Sequence, residues 1–144
     1  MFIASLELYK KLSKNRSKSI AAYIKDLIKD NTKILDFGAG NLYLAGALLD
    51  FLPKVEIFGI DVIEDQNLDK QVMNHSRFQF STYNGKNIPA EDNQFDYVIA
   101  SAVMHHTPSP EYFLVEIKRV LKPGGALILV EEMYHNMADK IYIS

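Results

Sequence analysis

From residue 33 onward the chain alternates between short apolar runs and segments with helical spacing, and this alternation narrows the fold more than any other feature. The runs at 33–37, 55–60, 77–80, 95–101 and 126–131 are short and mostly near-continuous, as strands are when a parallel sheet is covered on both faces. Between them, 42–52, 64–75 and 110–121 carry helical patterns, the middle one weakly. Pro53 disfavours helix at the residue before it, and Ser109 followed by Pro110 marks a helix start. The stripe predicted to be buried on that last helix is Phe113, Leu114, Ile117, Val120 and Leu121. Lys118, Arg119 and Lys122 lie near its C-terminal end, where the helix dipole favours cations, and "KPGG" is expected to stop it. Repeated strand, helix, strand with right-handed crossovers gives a doubly wound α/β sheet with helices on both faces.

Residues 1–32 read as a helical segment ahead of a sheet at 33–144, the 144 residues together making one domain. Helices are expected at 3–12 and 19–29, separated by the polar run "SKNRSKS". Ile20, Tyr23, Ile24, Leu27 and Ile28 would be the apolar stripe of the second. Lys10, Lys11, Lys14, Arg16 and Lys18 cluster here and are read as a solvated face, with steering of an anionic substrate as the alternative. A net charge of −2 gives no general attraction to nucleic acid or to an anionic membrane surface. Without cysteine there are no disulfides, thiolate metal sites or thiol nucleophiles, and a reducing cytoplasm is the expected compartment. No apolar run reaches the roughly 18 residues of a membrane span. The start lacks a leading basic region and carries Glu7, so a secretion signal is not expected.

Ligands of such sheets bind beyond the carboxyl ends of the strands, which directs attention to "DFGAGNL" after the first strand. Gly38 and Gly40 permit a sharp turn and are expected to bring bare backbone N–H groups close to a ligand. Asp61 ends the second strand about 20 residues later, where a carboxylate can grip the two hydroxyls of a ribose. Together they describe a nucleoside-containing cofactor. In a dinucleotide loop of the form G-x-G-x-x-G the third glycine would fall at Tyr43, and Asp36 would repel phosphate. A carboxylate there suits a cationic ligand such as S-adenosylmethionine, which carries an ammonium and a sulfonium and no phosphate.

"ILDFGAGNLYL", "FGIDV" and "IPAEDNQFDYVIASAVMHHTPSPEYFLVEIKRVLKPGGALILVEE" together resemble class I S-adenosylmethionine-dependent methyltransferases, of the small-molecule type similar to those of ubiquinone and menaquinone biosynthesis, over about 33–132. The resemblance implies a Rossmann-like sheet of about five strands in the order 3-2-1-4-5. It implies that Asp36, Gly38, Ala39 and Gly40 hold the methionine end, that Asp61 binds the ribose and that Val62 lies against the adenine face. Asn84, where the family usually has aspartate, would accept a bond from the adenine amino group through its amide oxygen. Gly85 would offer a backbone N–H to the ring, and Ser101 would border the methionine chain and the methyl group. His105 and His106 hold the family's "LHH" position, here "MHH". At least one of them, above all His106, is read as capping the loop or helix through hydrogen bonds; the alternative is that one acts as general base or orients a substrate hydroxyl.

Glu131, Glu132, Tyr134 and His135 follow the fifth strand, lining an acceptor pocket or forming a solvated strand end. Asp96 sits at the start of the fourth strand, the end away from the expected cofactor, and is read as structural. The carboxylate cluster of metal-dependent O-methyltransferases is missing, so no metal is implied. An Asn-Pro-Pro-Tyr motif is also missing after the fourth strand, which leaves a small-molecule O or C nucleophile as the expected acceptor and no nucleic acid.

The family normally has seven strands ending in an antiparallel pair, whereas "NMADKIYIS" supplies a turn of helix or one short strand at most. The C-terminal pair is therefore expected to be absent and the fifth strand exposed, an edge through which a homodimer could form. The alternatives are a truncated or non-catalytic S-adenosylmethionine-binding regulator or scaffold and, further off, a nucleotide-dependent oxidoreductase. Leu42 replaces the third glycine of the methyltransferase pattern D-x-G-x-G-x-G and is expected to pack inward.

Overall fold

The parallel strands β1 (Thr32–Phe37), β2 (Val55–Asp61), β3 (Phe78–Thr82) and β4 (Phe95–Ser101), five to seven residues each and mostly apolar except in β3, are joined by the longer β5 (Leu121–Glu131) and by β6 (Lys140–Ile143). The computed structural model describes residues 2–101, 109–131 and 140–143, and among them the sheet order is β3-β2-β1-β4-β5-β6. β1 to β5 are parallel, as the 3-2-1-4-5 expectation has it. β6 alone is antiparallel, pairing Leu129 with Tyr142 and Val130 with Ile141. The border expected to be exposed at β5 is therefore covered by β6.

Period-two alternation sends successive side chains to opposite faces. On one face Ile34, Ile57 and Ile99 meet Ile20, Ala21 and Ile24 of α1 (Phe2–Ile24) and Leu44 and Leu48 of α2 (Tyr43–Phe51). On the other, Leu35, Phe37 and Val98 meet Phe113, Ile117 and Val120 of α4 (Pro110–Val120). Phe37 and Phe113 pack edge to face with ring centroids 5.2 Å apart. Between β2 and β3 the weak pattern at 64–75 condenses to α3 (Lys70–Met73), started by the Asp69 carboxylate accepting from the N–H groups of Gln71 and Val72.

Four local expectations are corrected. The break at "SKNRSKS" does not occur, because polar residues without glycine or proline do not interrupt helical hydrogen bonding when they face water, and α1 runs through it. A 3₁₀ turn at Lys25–Leu27 then ends the helix, leaving Tyr23 and Leu27 exposed rather than in the buried stripe. "KPGG" does not cap α4, which stops at Val120 with Leu121 already extended. It forms a bulge inside β5 between the pairs Phe95–Leu121 and Tyr97–Ala126. A Cβ on Gly125 would lie 2.9 Å from the Asp96 and Lys122 carbonyl oxygens, so the bulge admits no side chain there. Glu116, not Leu114, completes the buried stripe of α4.

Arg77, read as the start of a strand, precedes it and closes the C-terminal end of α2. Its guanidinium donates to the carbonyls of Leu49, Leu52 and Val55 at 2.9, 2.7 and 2.9 Å.

Candidate cofactor site

β1, β2 and β4 end side by side, with Phe37 opposite Ile60 on one flank and Ala100 on the other. Alternation then puts Asp36, Asp61 and Ser101 on the α1–α2 face of the sheet, at its carboxyl edge. The loop leaving β1 holds three residues in the left-handed region: Gly38 at φ 76°, Gly40 at φ 55° and Leu42 at φ 72°. Leu42, at the position of the family's third glycine, buries its side chain completely, as expected.

The glycines do not present bare N–H groups to a ligand, which corrects the reading from sequence. Gly38 and Ala39 both donate to the Ile60 carbonyl at 2.9 Å, Gly40 donates to Asp61 Oδ2 at 2.8 Å, and Leu42 donates to the Ala39 carbonyl at 3.0 Å. These bonds clamp the loop onto the end of β2. What Gly40 supplies is space: a Cβ there would meet nothing nearer than an atom at 4.0 Å. Gly59 lets the clamp close from behind, since a Cβ there would come within 2.9 Å of the Phe78 ring and 3.1 Å of Ala39 Cβ.

Asp36 is 2% exposed, and its Oδ2 has no hydrogen-bond partner among the described residues. Burial first, and then the charge of Asp61, push its carboxyl up to about 7. A buried carboxyl with an unpaired oxygen is costly, and a cation is the partner that would satisfy it. Asp61 is half-buried; its Oδ2 takes the Gly40 N–H, and its Oδ1 takes the Val62 N–H at 2.7 Å. Each oxygen keeps a second lone pair, enough for two ribose hydroxyls.

Val62 and Ile63 expose 53% and 69% of their surfaces, an apolar step directly after the acid. Gly85, at φ 79°, lies against it, since a Cβ there would sit 3.5 Å from Val62 Cγ1. Asn84 is differently employed than its expected part with the adenine amino group. Its Oδ1 accepts from the Lys86 and Asn87 N–H groups at 2.8 and 3.0 Å, turning the loop and filling both lone pairs. Tyr83, not singled out from sequence, donates its N–H to the Asp61 carbonyl and tilts its ring against Phe37. Its hydroxyl is pushed up to about 12 by burial and by Asp61. Its only signal in the chain is an aromatic directly before "NG".

Asn41 was also missed. Its Oδ1 accepts from Tyr43 N–H, its Nδ2 reaches Ser13 Oγ on α1, and its carbonyl accepts from Asp69 N–H, so it ties the loop to α1 and to the start of α3. Ser101 is half-buried at the tip of β4. His105 and His106 lie outside the described residues, as do Glu132, Tyr134 and His135; of Glu131 only the backbone is described. Asp96 accepts from Lys33 N–H at 2.8 Å and pairs with Lys122 at the opposite end of the sheet, a structural placement.

An unpaired buried carboxylate, open space over Gly40, spare lone pairs on Asp61 and an apolar step at Val62 fit a cationic nucleoside of the S-adenosylmethionine kind. Comparison with known proteins points the same way. A methyltransferase-domain family model matches residues 35–129. A tRNA U34 carboxymethyltransferase from Nautilia profundicola is 33% identical over 103 residues, covering 69% of this chain and 34% of the relative. A demethylmenaquinone methyltransferase from Staphylococcus carnosus is 30% identical over 132 residues, covering 90% of this chain and 52% of the relative. A solved S-adenosylmethionine-dependent methyltransferase from Aquifex aeolicus superposes with a TM-score of 0.66 at 25% identity, covering 75% of this chain and 62% of that one. The chain thus spans between about a third and a half of the length of these two curated relatives. By fold, by the motifs of its cofactor edge and by the matched domain, it belongs to the class I S-adenosylmethionine-dependent methyltransferase family.

Proposed function

We propose that this chain binds S-adenosylmethionine at the carboxyl edge of β1, β2 and β4 and transfers its methyl group to a small organic O or C nucleophile. The observation that carries the reading is Asp36, a buried carboxylate with an unpaired oxygen beside a glycine loop, with Asp61 at the tip of the neighbouring strand. Asp36 would pair with the ammonium of the methionine end, and that pairing would drive it to the charged form. Asp61 would hold the ribose, Val62 the adenine face, and Gly85 N–H the ring edge; the peptide around Gly38, Ala39 and Gly40 would enclose the methionine chain, with Ser101 beside the methyl. When bound, the cofactor supplies a methyl already activated by a positive sulfur. The chain's task is then to align an acceptor lone pair with that methyl and to exclude water, a contribution on the order of 7–11 kcal/mol for well-placed reactants. His105 is the group we assign to deprotonate or orient the acceptor, with His106 beside it.

A net charge of −2 and the demethylmenaquinone methyltransferase relative support a small acceptor. The tRNA U34 carboxymethyltransferase relative, with Lys10, Lys11, Lys14 and Lys18 along α1, supports RNA as the second reading. Calorimetric titration with S-adenosylmethionine, S-adenosylhomocysteine and NAD tests the cofactor: binding of NAD alone overturns the proposal. Asp61→Ala is expected to weaken S-adenosylhomocysteine at least about tenfold, the scale of a lost charge-assisted bond pair. Label transfer from methyl-tritiated donor into a metabolite extract, with bulk tRNA in parallel, decides the acceptor; counts in tRNA alone reverse the order of the two readings.

A further inference from the structure

The stretch from Tyr83 to Gln94 links β3 to β4 with no helix of its own, yet it carries Asn84 and Gly85 beside Val62. Loops this long hold one shape only when something fixes them. Here α4 does so, through residues spaced four and then three apart on one face. Tyr112 donates its hydroxyl to Asn87 Oδ1 at 2.6 Å. Glu116 Oε2 accepts from Ile88 N–H at 2.9 Å. Arg119 donates to the carbonyls of Ile88 and Ala90 and to Asp92, and binds both oxygens of Glu116, Nε to Oε1 at 2.8 Å and Nη2 to Oε2 at 3.0 Å. Glu116 is 8% exposed, a site where a carboxylate adds little stability over a well-packed apolar residue of the same size. What this pair fixes is geometry: the bond at Asn87 reaches the same short turn that Asn84 closes with Lys86 and Asn87.

We infer that Glu116, with Tyr112 and Arg119, is a positioning device for the base end of the cofactor, fixing the 84–92 loop so that Gly85 N–H meets adenine. This rests on the proposed cofactor reading, which it deepens by assigning selectivity for the base to α4. None of the three residues need touch the ligand. Their loss is expected to erase discrimination between bases while leaving grip on the ribose and methionine end.

The test titrates the full chain with S-adenosylhomocysteine and with S-inosylhomocysteine, which differ only at the base, alongside thermal denaturation. The wild type is expected to prefer the adenine form. Tyr112→Phe, which keeps the half-exposed ring and removes one bond, is expected to cut that preference about threefold to tenfold with inosyl affinity unchanged and denaturation nearly unchanged. Glu116→Ala is expected to abolish the preference, and Glu116→Gln, which still offers an oxygen to Ile88 N–H, to restore part of it. Equal losses for both ligands, or an unchanged ratio in Tyr112→Phe, overturn the inference and leave cofactor binding standing. A wild type that binds neither ligand overturns the cofactor reading itself and this inference with it.

Discussion

Leu42 and Asp36 show the two kinds of cost the cofactor edge carries. A leucine at φ 72° sits where glycine would be free of strain, at about 1 kcal/mol. Its side chain is fully buried among the core residues of the α1–α2 face, and losing a buried leucine costs roughly 2–5 kcal/mol. Leu42→Gly is therefore expected to lower stability by about 1–4 kcal/mol in urea unfolding, the difference of those terms. A stabilised variant would show that strain outweighs packing. Asp36 works through protonation. Its folded-state value of about 7 stands above the ordinary carboxyl value of 3.8, so the folded state binds the extra proton between those values and stability falls as pH rises through that window. The penalty is absent below about pH 4 and complete above about pH 7. Asp36→Asn is expected to raise the melting temperature at pH 8 relative to wild type, a gain of roughly 1–3 kcal/mol, and to show little gain at pH 4. The same variant is expected to lose S-adenosylhomocysteine binding. Equal gains at both pH values would mean that Asp36 stays ionised in the folded chain.

Between strand and loop, Gly59 is the point where packing and site meet. Gly59→Ala forces a methyl against the Phe78 ring and Ala39. The expected cost is about 1–3 kcal/mol, as for overpacking generally, together with weaker cofactor binding because the loop of Gly38, Ala39 and Gly40 is pushed outward. Binding at wild-type strength would show that the ring yields instead. Element types were largely legible from spacing: β4 at 95–101 matches to the residue, and the parallel strands announce themselves by apolar runs that need no partner to be recognised. That Asp36, Asp61 and the glycines would meet at the carboxyl edge was legible because each sits at the end of an apolar run or directly after one. The backbone clamp around Ile60 was not, since N–H groups leave no mark in a sequence, and neither was Glu116, whose charge argues for water until Arg119 and Ile88 N–H are seen beside it. "SKNRSKS" misled for the converse reason: polarity marks exposure, and an exposed segment is free to be helical.

At the scale of the molecule, β1 and β4 are flanked by strands on both sides, while β6 has one neighbour among the described residues. Native-state hydrogen exchange is expected to open the amides of Lys140–Ile143 at much lower free energy than those of β1, with β1 exchanging only through global unfolding. Protection of β6 equal to that of β1 would mean that the antiparallel strand belongs to the central cooperative unit.

The placement of β1 also sets an order of events while the chain is being made. β1 can pair with β2 as soon as Val55–Asp61 has emerged, but its other edge must wait for β4, some 60 residues further along. In that interval an apolar strand presents a bare row of backbone groups on the side that will later be the centre of the sheet. The newborn chain is thus most prone to stick to its neighbours before residue 95 appears, and the central position that shelters β1 in the finished molecule leaves it half-paired during synthesis.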